Sequence, residues 1–260
     1  MEKLSLFGAG FIGGNFAKMF PDEVFIEDRN SLVPTYNNVL YMRGTTSNYN
    51  VFSDISKDVR DNLLLFTETL KNITSNHNFT LISSWFCETP KLGFYSLTKQ
   101  LQEKLLESYY TTILKSNNFK IIRLSNVIGG DPKASNKKNA LEFLVSKIKN
   151  NEDIDIYSGD NFRDFISVHD CCRAIKLVME KGNNGETYNI GMGVSNRIID
   201  LCEYCIDKIK SKSKINIIPA PIFHSQVQIK DYFMDCSKLQ DLEFEYKDAD
   251  IKLILDRLCA

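Results

Sequence analysis

The chain has 260 residues, of which 43% are hydrophobic and 25% are charged, values that are ordinary for a soluble globular protein. Its 32 basic and 33 acidic side chains leave a formal charge of -1, which argues against the basic surface of a nucleic-acid-binding protein. We expect no signal peptide in the first residues, MEKLSLFGAGFIGG, and no membrane span, because no apolar run approaches about 20 residues.

Seven cysteines, an odd number, include one Cys-x-x-Cys pair, Cys202 and Cys205, in a stretch with helical spacing. A zinc site would need two more ligands at suitable spacing, and none of the three histidines is paired with these cysteines in the sequence. We therefore expect reduced thiols, no metal site and a cytoplasmic protein.

Short apolar runs alternate with helical stretches along the first half of the chain. Five runs have the composition of buried strands: KLSLF (3–7), EVFIE (23–27), NVLYM (38–42), FTLIS (79–83) and KIIRL (120–124). Residues 58–73 and 95–116 have helical spacing, and Leu97, Leu101, Leu105 and Tyr109 form one stripe on the second of these helices. The alternation predicts an α/β fold, with a Rossmann-like, doubly wound parallel sheet covered by helices on both faces.

The alternation of apolar runs and helical stretches is interrupted after about residue 131, where GGDPKASNKKN is a polar loop rich in helix breakers. Beyond it we predict helices at 139–149, 170–181, 198–210 and near 249–258, separated by short strand-like runs. We therefore divide the chain into residues 1–130 and residues 131–260. The second region is expected to fold over the sheet and to return some elements to it.

A glycine-rich turn follows the first predicted strand. LFGAGFIGG places Gly8, Gly10 and Gly13 in the G-x-G-x-x-G spacing. Gly8 allows a tight turn, Gly10 lets a pyrophosphate approach the backbone, and Gly13 lets the next helix pack closely on the strand. The amides at the start of that helix, at Phe11 and Ile12, would bind the phosphates. The turn therefore predicts a dinucleotide site.

An acidic residue follows at the distance that a dinucleotide fold requires. Glu27 ends the second predicted strand 19 residues after Gly8 (27 − 8 = 19), near the expected spacing of about 20. A carboxylate at this point accepts hydrogen bonds from the adenosine ribose, which favours NAD. Arg29 lies two residues further on and could contact a 2′-phosphate instead, which keeps NADP as the alternative.

Further motifs follow the glycine turn in a definite order. They are DN (61–62), LISSWF, YSLTKQLQE, IIRLSNVIGG, YSGDNFRDFISVHD, GETYNIG and MDCSKL. Over nearly the whole chain, this series resembles the extended short-chain dehydrogenases/reductases, in the NAD-dependent epimerase/dehydratase group that acts on nucleotide-diphosphate (NDP) sugars. The resemblance implies that residues 1–130 bind the dinucleotide and that residues 131–260 mainly bind the substrate.

The resemblance also implies a catalytic set of Ser84, Tyr95 and Lys99, with Ser83 as the alternative serine. Tyr95 would exchange a proton with the sugar hydroxyl, and Ser84 would hydrogen-bond the same oxygen. Lys99, one helical turn from Tyr95, would hold the nicotinamide ribose. Together with the cationic nicotinamide it would favour the phenolate of a side chain whose ordinary pKa is about 10.

The same resemblance implies three substrate-binding residues, Asn126, Arg163 and Lys230. Asn126 would contact the NDP-sugar, Arg163 would clamp the diphosphate with its planar guanidinium, and Lys230 would act as a point charge near phosphate. Two structural alternatives remain, a loop cap for Asn126 and a surface salt bridge between Arg163 and Asp164.

Asn62 and Arg123 also match family positions. The resemblance implies that Asn62 supports the site through water or backbone, and a helix-interior polar residue is the alternative. For Arg123, an ion pair that anchors the end of its strand is the preferred interpretation.

Two departures from the family pattern carry consequences. Only 12 residues separate Glu27 from Val39 (39 − 27 = 12), too few for the additional strand and helix of the family, so one βα unit is expected to be missing at a sheet edge. Trp85 and Phe86 stand where 4,6-dehydratases carry an Asp–Glu pair, and neither can shuttle a proton, which disfavours dehydratase chemistry. Cys87 is out of register for a catalytic role and is expected to pack in the core.

These features favour an NAD(P)-dependent NDP-sugar epimerase that oxidises and re-reduces one sugar carbon. An NDP-4-keto-sugar reductase that consumes NADH or NADPH is the first alternative, and a non-catalytic dinucleotide-binding protein is the second. The expected partners are an NDP-sugar and a second copy of the chain, joined through a helix bundle that includes the Tyr95–Lys99 helix, with no nucleic acid and no membrane.

Overall fold

The computed structural model describes residues 3–47, 49–89, 93–129, 139–159, 161–227 and 231–260. The strands of these residues are β1 (Leu4–Phe7), β2 (Val24–Ile26), β3 (Asn38–Tyr41), β4 (Asn78–Ser84), β5 (Phe119–Leu124), β6 (Asn126–Ile128), β7 (Ile154–Tyr157), β8 (Phe162–Arg163), β9 (Phe165–Ser167), β10 (Thr187–Ile190), β11 (Asn196–Arg197) and β12 (Ile215–Ile218).

The α-helices of the described residues are α1 (Phe11–Met19), α2 (Asn50–Ser53), α3 (Lys57–Val59), α4 (Leu65–Leu70), α5 (Phe94–Ser108), α6 (Ala140–Lys149), α7 (Val168–Lys181), α8 (Ile198–Ile209), α9 (Ile222–Val227), α10 (Ser237–Gln240) and α11 (Ile251–Cys259). Two π-helical segments continue these helices, Arg60–Leu64 between α3 and α4 and Tyr109–Leu114 after α5. A 3₁₀ turn, Trp85–Glu88, follows β4 directly.

The centre of the molecule is a six-stranded sheet in the order β10-β5-β4-β3-β1-β2, and every neighbouring pair is parallel. Alternate residues of each strand face opposite sides, as the pleat requires. On one side Leu40 and Ile122 pack in a core that includes α1 and α7. On the other side Tyr41 and Ile121 pack in a core that includes α4 and α5. The predicted doubly wound sheet is confirmed.

The missing βα unit is also confirmed. Residues 27–37 form neither helix nor strand, and β2 is the last strand of the described sheet. Arg43 fixes this shortened connection, because its guanidinium donates to the carbonyls of Ser31 (2.5 Å) and Asp28 (2.6 Å).

The second half of the chain builds a smaller core and also returns to the sheet. Helices α6, α8 and α11 share a hydrophobic cluster with β6, β7 and β9. Strand β10 pairs with β5 as the edge of the central sheet, and α7 covers that sheet.

The leucine stripe of α5 does not face the sheet. Leu97, Leu101 and Leu105 are 43%, 43% and 39% exposed, whereas the buried face of the helix is largely polar and includes Lys99 and Glu103. A polar buried face is unusual for a helix on a sheet, and it turns the Tyr-Lys motif toward the ends of the central strands.

Candidate active site

A cleft of about 960 Å³ lies along the carboxyl ends of β1, β3, β4 and β5. Its walls are the segments that directly follow these strands, with part of α5 and of α1. The carboxyl ends of parallel strands are where open α/β folds bind their ligands. The structure places the predicted dinucleotide turn and the Ser-Tyr-Lys set in this one cleft: Gly8, Gly10, Phe11, Ile12, Gly13, Ser84, Tyr95 and Lys99.

The glycine turn has the geometry that a dinucleotide needs. Gly8 has φ +100°, a left-handed conformation that favours glycine. A Cβ on Gly13 would lie 2.2 Å from the Gly8 carbonyl oxygen, so the close approach of α1 to β1 requires glycine there. A Cβ on Gly10 would meet no atom within 4 Å, and Gly10 begins α1 without a side-chain cap. Gly10 and the first residues of α1, Phe11 and Ile12, line the cleft, which fits a pyrophosphate at the start of this helix.

The adenosine side of the cleft contains the predicted pair of charged residues. Glu27 and Arg29 both line it. One carboxylate oxygen of Glu27 accepts a hydrogen bond from the Thr35 amide (2.7 Å), and Glu27 is only 7% exposed. Arg29 is exposed.

The two candidate serines differ in their partners. The Ser83 hydroxyl donates to the Glu103 carboxylate (2.5 Å), on the buried face of α5. The Ser84 side chain shares a hydrogen bond with Tyr95. Ser84, which ends β4, is therefore the serine that the fold brings together with the tyrosine.

Lys99 is held in one position by two acceptors. Its ammonium donates to the Ile82 carbonyl (2.9 Å) and to Gln102 Oε1 (2.6 Å). Burial lowers the pKa of Lys99 to about 8, and the nearby groups Cys87 and Glu103 oppose this shift. The ammonium is therefore charged in most molecules at neutral pH.

Asn62 supports the same corner of the cleft through direct contacts. Its side-chain oxygen accepts from the Thr45 amide (2.8 Å), and its amide group donates to the hydroxyls of Thr45 and Thr98 (2.9 Å each). Gly44 has φ +142°, and a Cβ there would lie 2.4 Å from Asn62 Oδ1 and 3.8 Å from Lys99 Nζ. Asn62 therefore joins α5 to the loop after β3.

Tyr95 carries a proton in the free protein. Burial raises its pKa, and the hydrogen bond with Ser84 opposes the shift. A bound cationic nicotinamide is expected to lower the pKa of Tyr95. Without that charge, a buried phenol is more stable in its neutral form, so the pKa is raised instead.

The predicted substrate residues occupy different places. Asn126 lines the cleft, and its side-chain amide donates to the Asp164 carbonyl (2.9 Å), so the loop-cap alternative describes one of its contacts. The Arg163 guanidinium donates to the Phe162 carbonyl (2.6 Å) and lies 5.8 Å from the centre of the Trp85 ring. Lys230 lies outside the described residues.

The alternative of a surface salt bridge between Arg163 and Asp164 is wrong, because Asp164 is fully buried. Its carboxylate accepts hydrogen bonds from the backbone amides of Met192 and Gly193 (2.9 Å each). The preferred interpretation of Arg123, an ion pair, is confirmed. Its guanidinium binds both oxygens of Glu103 (3.0 and 2.6 Å) and one oxygen of Glu88 (2.8 Å).

An aromatic stack lies beside Tyr95. We use the name aromatic turn for Trp85–Glu88. The rings of Trp85 and Phe86 are stacked at 3.9 Å, and the edge of Phe86 meets Tyr95 at 6.0 Å. Tyr232, which the sequence did not identify, stacks on the other face of Trp85 at 4.4 Å. Cys87 is buried, its thiol pKa is raised to about 11 by burial, and its position agrees with a packing role.

Two further features bear on the predicted partners. No helix in the described ranges combines the length and the hydropathy that a membrane crossing requires. Within the same ranges no group of three or more His, Cys, Asp or Glu side chains is arranged to hold a metal ion. All seven cysteines are free thiols.

Comparison with known proteins finds similarity to one family and to several of its members. Residues 80–191 match the model of the NAD dependent epimerase/dehydratase family. The chain is 30% identical over 153 residues to the low-salt glycan biosynthesis protein Agl12 of Haloferax volcanii, which covers 58% of this chain and 46% of that protein. It is 27% identical over 181 residues to the GDP-6-deoxy-D-talose 4-dehydrogenase of Aggregatibacter actinomycetemcomitans, which covers 65% of this chain and 56% of that protein. The chain therefore matches about half the length of these curated relatives.

A solved structure has the same fold. The UDP-glucose 4-epimerase of Thermotoga maritima, determined with UDP-glucose, superposes with a TM-score of 0.83 at 18% identity and covers 100% of this chain and 97% of that chain. The chain therefore shares the Rossmann-like α/β fold with a parallel central sheet. Residues 80–191 of the chain, within that fold, resemble the NAD dependent epimerase/dehydratase family.

Proposed function

We propose that this protein is an NAD(P)-dependent epimerase of NDP-sugars. The observation that carries the proposal is the meeting of Ser84, Tyr95 and Lys99 with the glycine turn in one cleft. Ser84 shares a hydrogen bond with Tyr95, and Lys99 is held one helical turn away by the Ile82 carbonyl and Gln102. Packing of the core does not require this set, whereas proton exchange at a sugar hydroxyl uses it. The non-catalytic alternative leaves this arrangement unexplained.

The residues present fit a dinucleotide. The open space above Gly10 and the uncapped start of α1 suit the pyrophosphate, and Glu27 and Arg29 lie where the adenosine ribose would be recognised. When it is bound, NAD supplies the hydride acceptor and the hydride donor for the sugar carbon. The second carboxylate oxygen of Glu27 could accept a hydrogen bond from the ribose, which supports NAD, and the exposed Arg29 supports NADP as the alternative.

Three side chains of the protein would carry out the proton transfer. Tyr95 would accept it from the sugar hydroxyl and return it after the carbon is reduced on its other face. Ser84 would hold the same oxygen through the hydroxyl that now bonds Tyr95. The ammonium of Lys99, fixed by Ile82 and Gln102, would stabilise the phenolate and bind the nicotinamide ribose.

The substrate would lie between the two halves of the chain. Asn126 lines the cleft on the side of the second half, and Arg163 lies against Trp85 beside it. We propose that both contact the NDP-sugar, with Arg163 on the diphosphate, and that Lys230 adds a positive charge nearby. The cleft volume of about 960 Å³ suits a dinucleotide together with a sugar.

A second candidate is an NDP-4-keto-sugar reductase with the same three catalytic residues. The apolar rings of Trp85 and Phe86 favour it over a dehydratase, because they place no proton donor beside the reacting sugar. The two candidates differ in cofactor use. An epimerase regenerates its cofactor in each cycle, whereas a reductase consumes one NADH or NADPH for each product.

We also propose a homodimer through α5. Leu97, Leu101 and Leu105 expose one apolar stripe, and Leu64, on the neighbouring π-helical segment, is 59% exposed. Exposed leucines on two neighbouring helical segments suit a helix bundle with a second copy. Seven free thiols support a reducing, cytoplasmic environment.

A turnover assay tests the proposal. The purified protein is incubated with UDP-glucose, UDP-N-acetylglucosamine and a dTDP-4-keto-6-deoxy sugar, with either catalytic NAD or stoichiometric NADH and NADPH. We expect a stereoisomer of one of the first two sugars to form without net change in absorbance at 340 nm. Stoichiometric loss of NADH or NADPH with the keto sugar would favour the reductase instead.

Tyr95→Phe is the matched variant, because it removes one hydroxyl and keeps the ring that contacts Phe86. It should fold and should lose turnover by at least about 100-fold. Full activity in Tyr95→Phe would refute the assignment of the three residues.

A further inference from the structure

The carboxylate of Glu88 joins the two halves of the chain behind the candidate site. Glu88 ends the aromatic turn, four residues after Ser84. Its Oε2 accepts from the Tyr232 hydroxyl (2.6 Å), and its Oε1 accepts from Arg123 (2.8 Å) and from Asn189 (3.1 Å). Burial opposes ionisation of Glu88, but these three donors outweigh it and hold its pKa below the ordinary value.

Tyr232 contacts the aromatic turn twice. Its hydroxyl binds Glu88 at the end of the turn, and its ring covers Trp85 at the start, with the ring planes 26° apart. Trp85, stacked between Tyr232 and Phe86, is only 3% exposed. Because the edge of Phe86 meets Tyr95, the position of Tyr232 affects the wall on which Tyr95 rests.

The segment that carries Tyr232 is itself fixed to the edge of the sheet. The Met234 amide donates to the buried Asp164 carboxylate (3.2 Å). The Asn189 side chain donates to the Asp235 carbonyl (3.1 Å) as well as to Glu88. Strand β10 therefore binds both the aromatic turn and the 231–236 segment.

We propose that Tyr232 and Glu88 are positioning residues for the reaction. They hold the aromatic turn against Tyr95 and so set the shape of the sugar end of the cleft. Tyr232 stacks on Trp85, Trp85 stacks on Phe86, and both of these rings line the cleft, so the effect passes through them. The kinetic part of this inference rests on the proposed function, whereas the packing part does not.

The chain has a single tryptophan, Trp85, which reports on this contact directly. Tyr232→Phe keeps the stacked ring and removes the hydroxyl, and Glu88→Gln keeps the shape of the acceptor and removes its charge. The matched control is Tyr204→Phe in α8. It also removes a tyrosine hydroxyl that donates to a carboxylate, that of Asp256, at 2.6 Å.

Acrylamide quenching of Trp85 fluorescence is measured in each variant. We expect the quenching constant to rise at least about twofold in Tyr232→Phe and in Glu88→Gln. In both variants the hydrogen bond between Tyr232 and the charged Glu88 carboxylate, which fixes the Tyr232 ring against Trp85, is lost or weakened. The quenching constant of the double variant should be no higher than those of the single variants, because both changes remove the same hydrogen bond. An unchanged constant in Tyr232→Phe, or an equal rise in Tyr204→Phe, would overturn the inference.

Turnover separates a positioning role from simple packing. With the sugar nucleotide that the wild type accepts, Tyr232→Phe should lower kcat about tenfold while the dissociation constant for NADH stays within about twofold. Unchanged kcat, or a parallel loss of NADH affinity, would overturn the positioning role. A wild type that turns over no sugar nucleotide would refute the proposed function, and the quenching comparison would still decide whether Tyr232 holds the turn.

Discussion

Replacement of Lys99 by methionine should change the pH dependence of stability in a defined direction. Lys99 is 4% exposed, and burial lowers its pKa from 10.5 to about 8. Between these two pH values the unfolded chain binds more protons than the folded chain. The stability of the wild type therefore rises with pH in this window, and Lys99→Met lacks this contribution.

The magnitude follows from the two pKa values. Since one pKa unit corresponds to about 1.36 kcal/mol, holding Lys99 protonated in its buried place costs about 3 kcal/mol at neutral pH. The variant also leaves the Ile82 carbonyl and Gln102 Oε1 without their donor, at a cost of about 1–3 kcal/mol each. These two effects oppose each other at any single pH, so the difference between two pH values is the quantity to measure. From pH 7 to pH 9, the wild type should gain about 1.3 kcal/mol relative to Lys99→Met.

Urea unfolding at pH 7 and at pH 9 measures this difference. The pKa of Cys172 is raised by burial alone, so its contribution is the same in both proteins. The Lys99 charge lowers the pKa of Cys87, but that pKa is still about 11 in the wild type and rises further in the variant. The folded Cys87 thiol therefore stays protonated up to pH 9 in both proteins, and its contribution cancels. Lys104→Met is the matched control, because the Lys104 side chain is 72% exposed, and it should keep the pH dependence of the wild type. Parallel behaviour of wild type and Lys99→Met would show that Lys99 is not held in a desolvated place, and the account of its pKa would be wrong.

Three further variants test other parts of the structure. Asn62→Ala removes three buried hydrogen bonds and should lower the free energy of unfolding by about 3 kcal/mol in urea titrations; a loss below about 1 kcal/mol would contradict the contacts described. Leu101→Glu places a charge in the exposed stripe of α5 and should give a monomer in sedimentation experiments where the wild type is a dimer; an unchanged dimer would exclude this surface. Gly10→Ala adds a Cβ that meets no protein atom within 4 Å, so it should keep the melting temperature and weaken NADH binding at least about tenfold, whereas Gly14→Ala should change neither; normal NADH affinity in Gly10→Ala would place the pyrophosphate elsewhere.

Local patterns in the sequence were sufficient for the sheet and for the glycine turn. Five of the six central strands are the predicted apolar runs, and all six pair in parallel, as the alternation with helices indicates. The short distance from Glu27 to Val39 was sufficient to predict the absent βα unit, because chain length limits what a connection can contain.

The orientation of α5 did not follow from its pattern. A stripe of leucines on one helix usually marks the buried face, but here Leu97 and Leu101 are exposed and Lys99 and Glu103 are buried. The buried polar residues find partners on β4 and β5, such as Ser83 and the Ile82 carbonyl. Such pairing depends on the tertiary structure, so hydrophobic periodicity alone cannot reveal it.

Local sequence patterns could not predict the contacts of Tyr232 either. Tyr232 and Glu88 are 144 residues apart in the chain, and neither belongs to a motif that carries chemistry. The choice between Ser83 and Ser84 likewise depended on Glu103, twenty residues away on another element. Long-range hydrogen bonds decide these assignments, and only the folded chain brings their partners together.

Titration of the nucleotide-free protein with NADH, followed by energy transfer from Trp85, shows whether the cleft binds a dinucleotide. Trp85 lines the cleft that should bind the cofactor, and it is the only tryptophan, so bound NADH must quench its emission. We expect saturable quenching with a matching rise of NADH emission, and a midpoint at least about tenfold higher in Gly10→Ala. A protein that leaves Trp85 emission unchanged at millimolar NADH and NADPH would contradict the proposed dinucleotide site and the epimerase built on it.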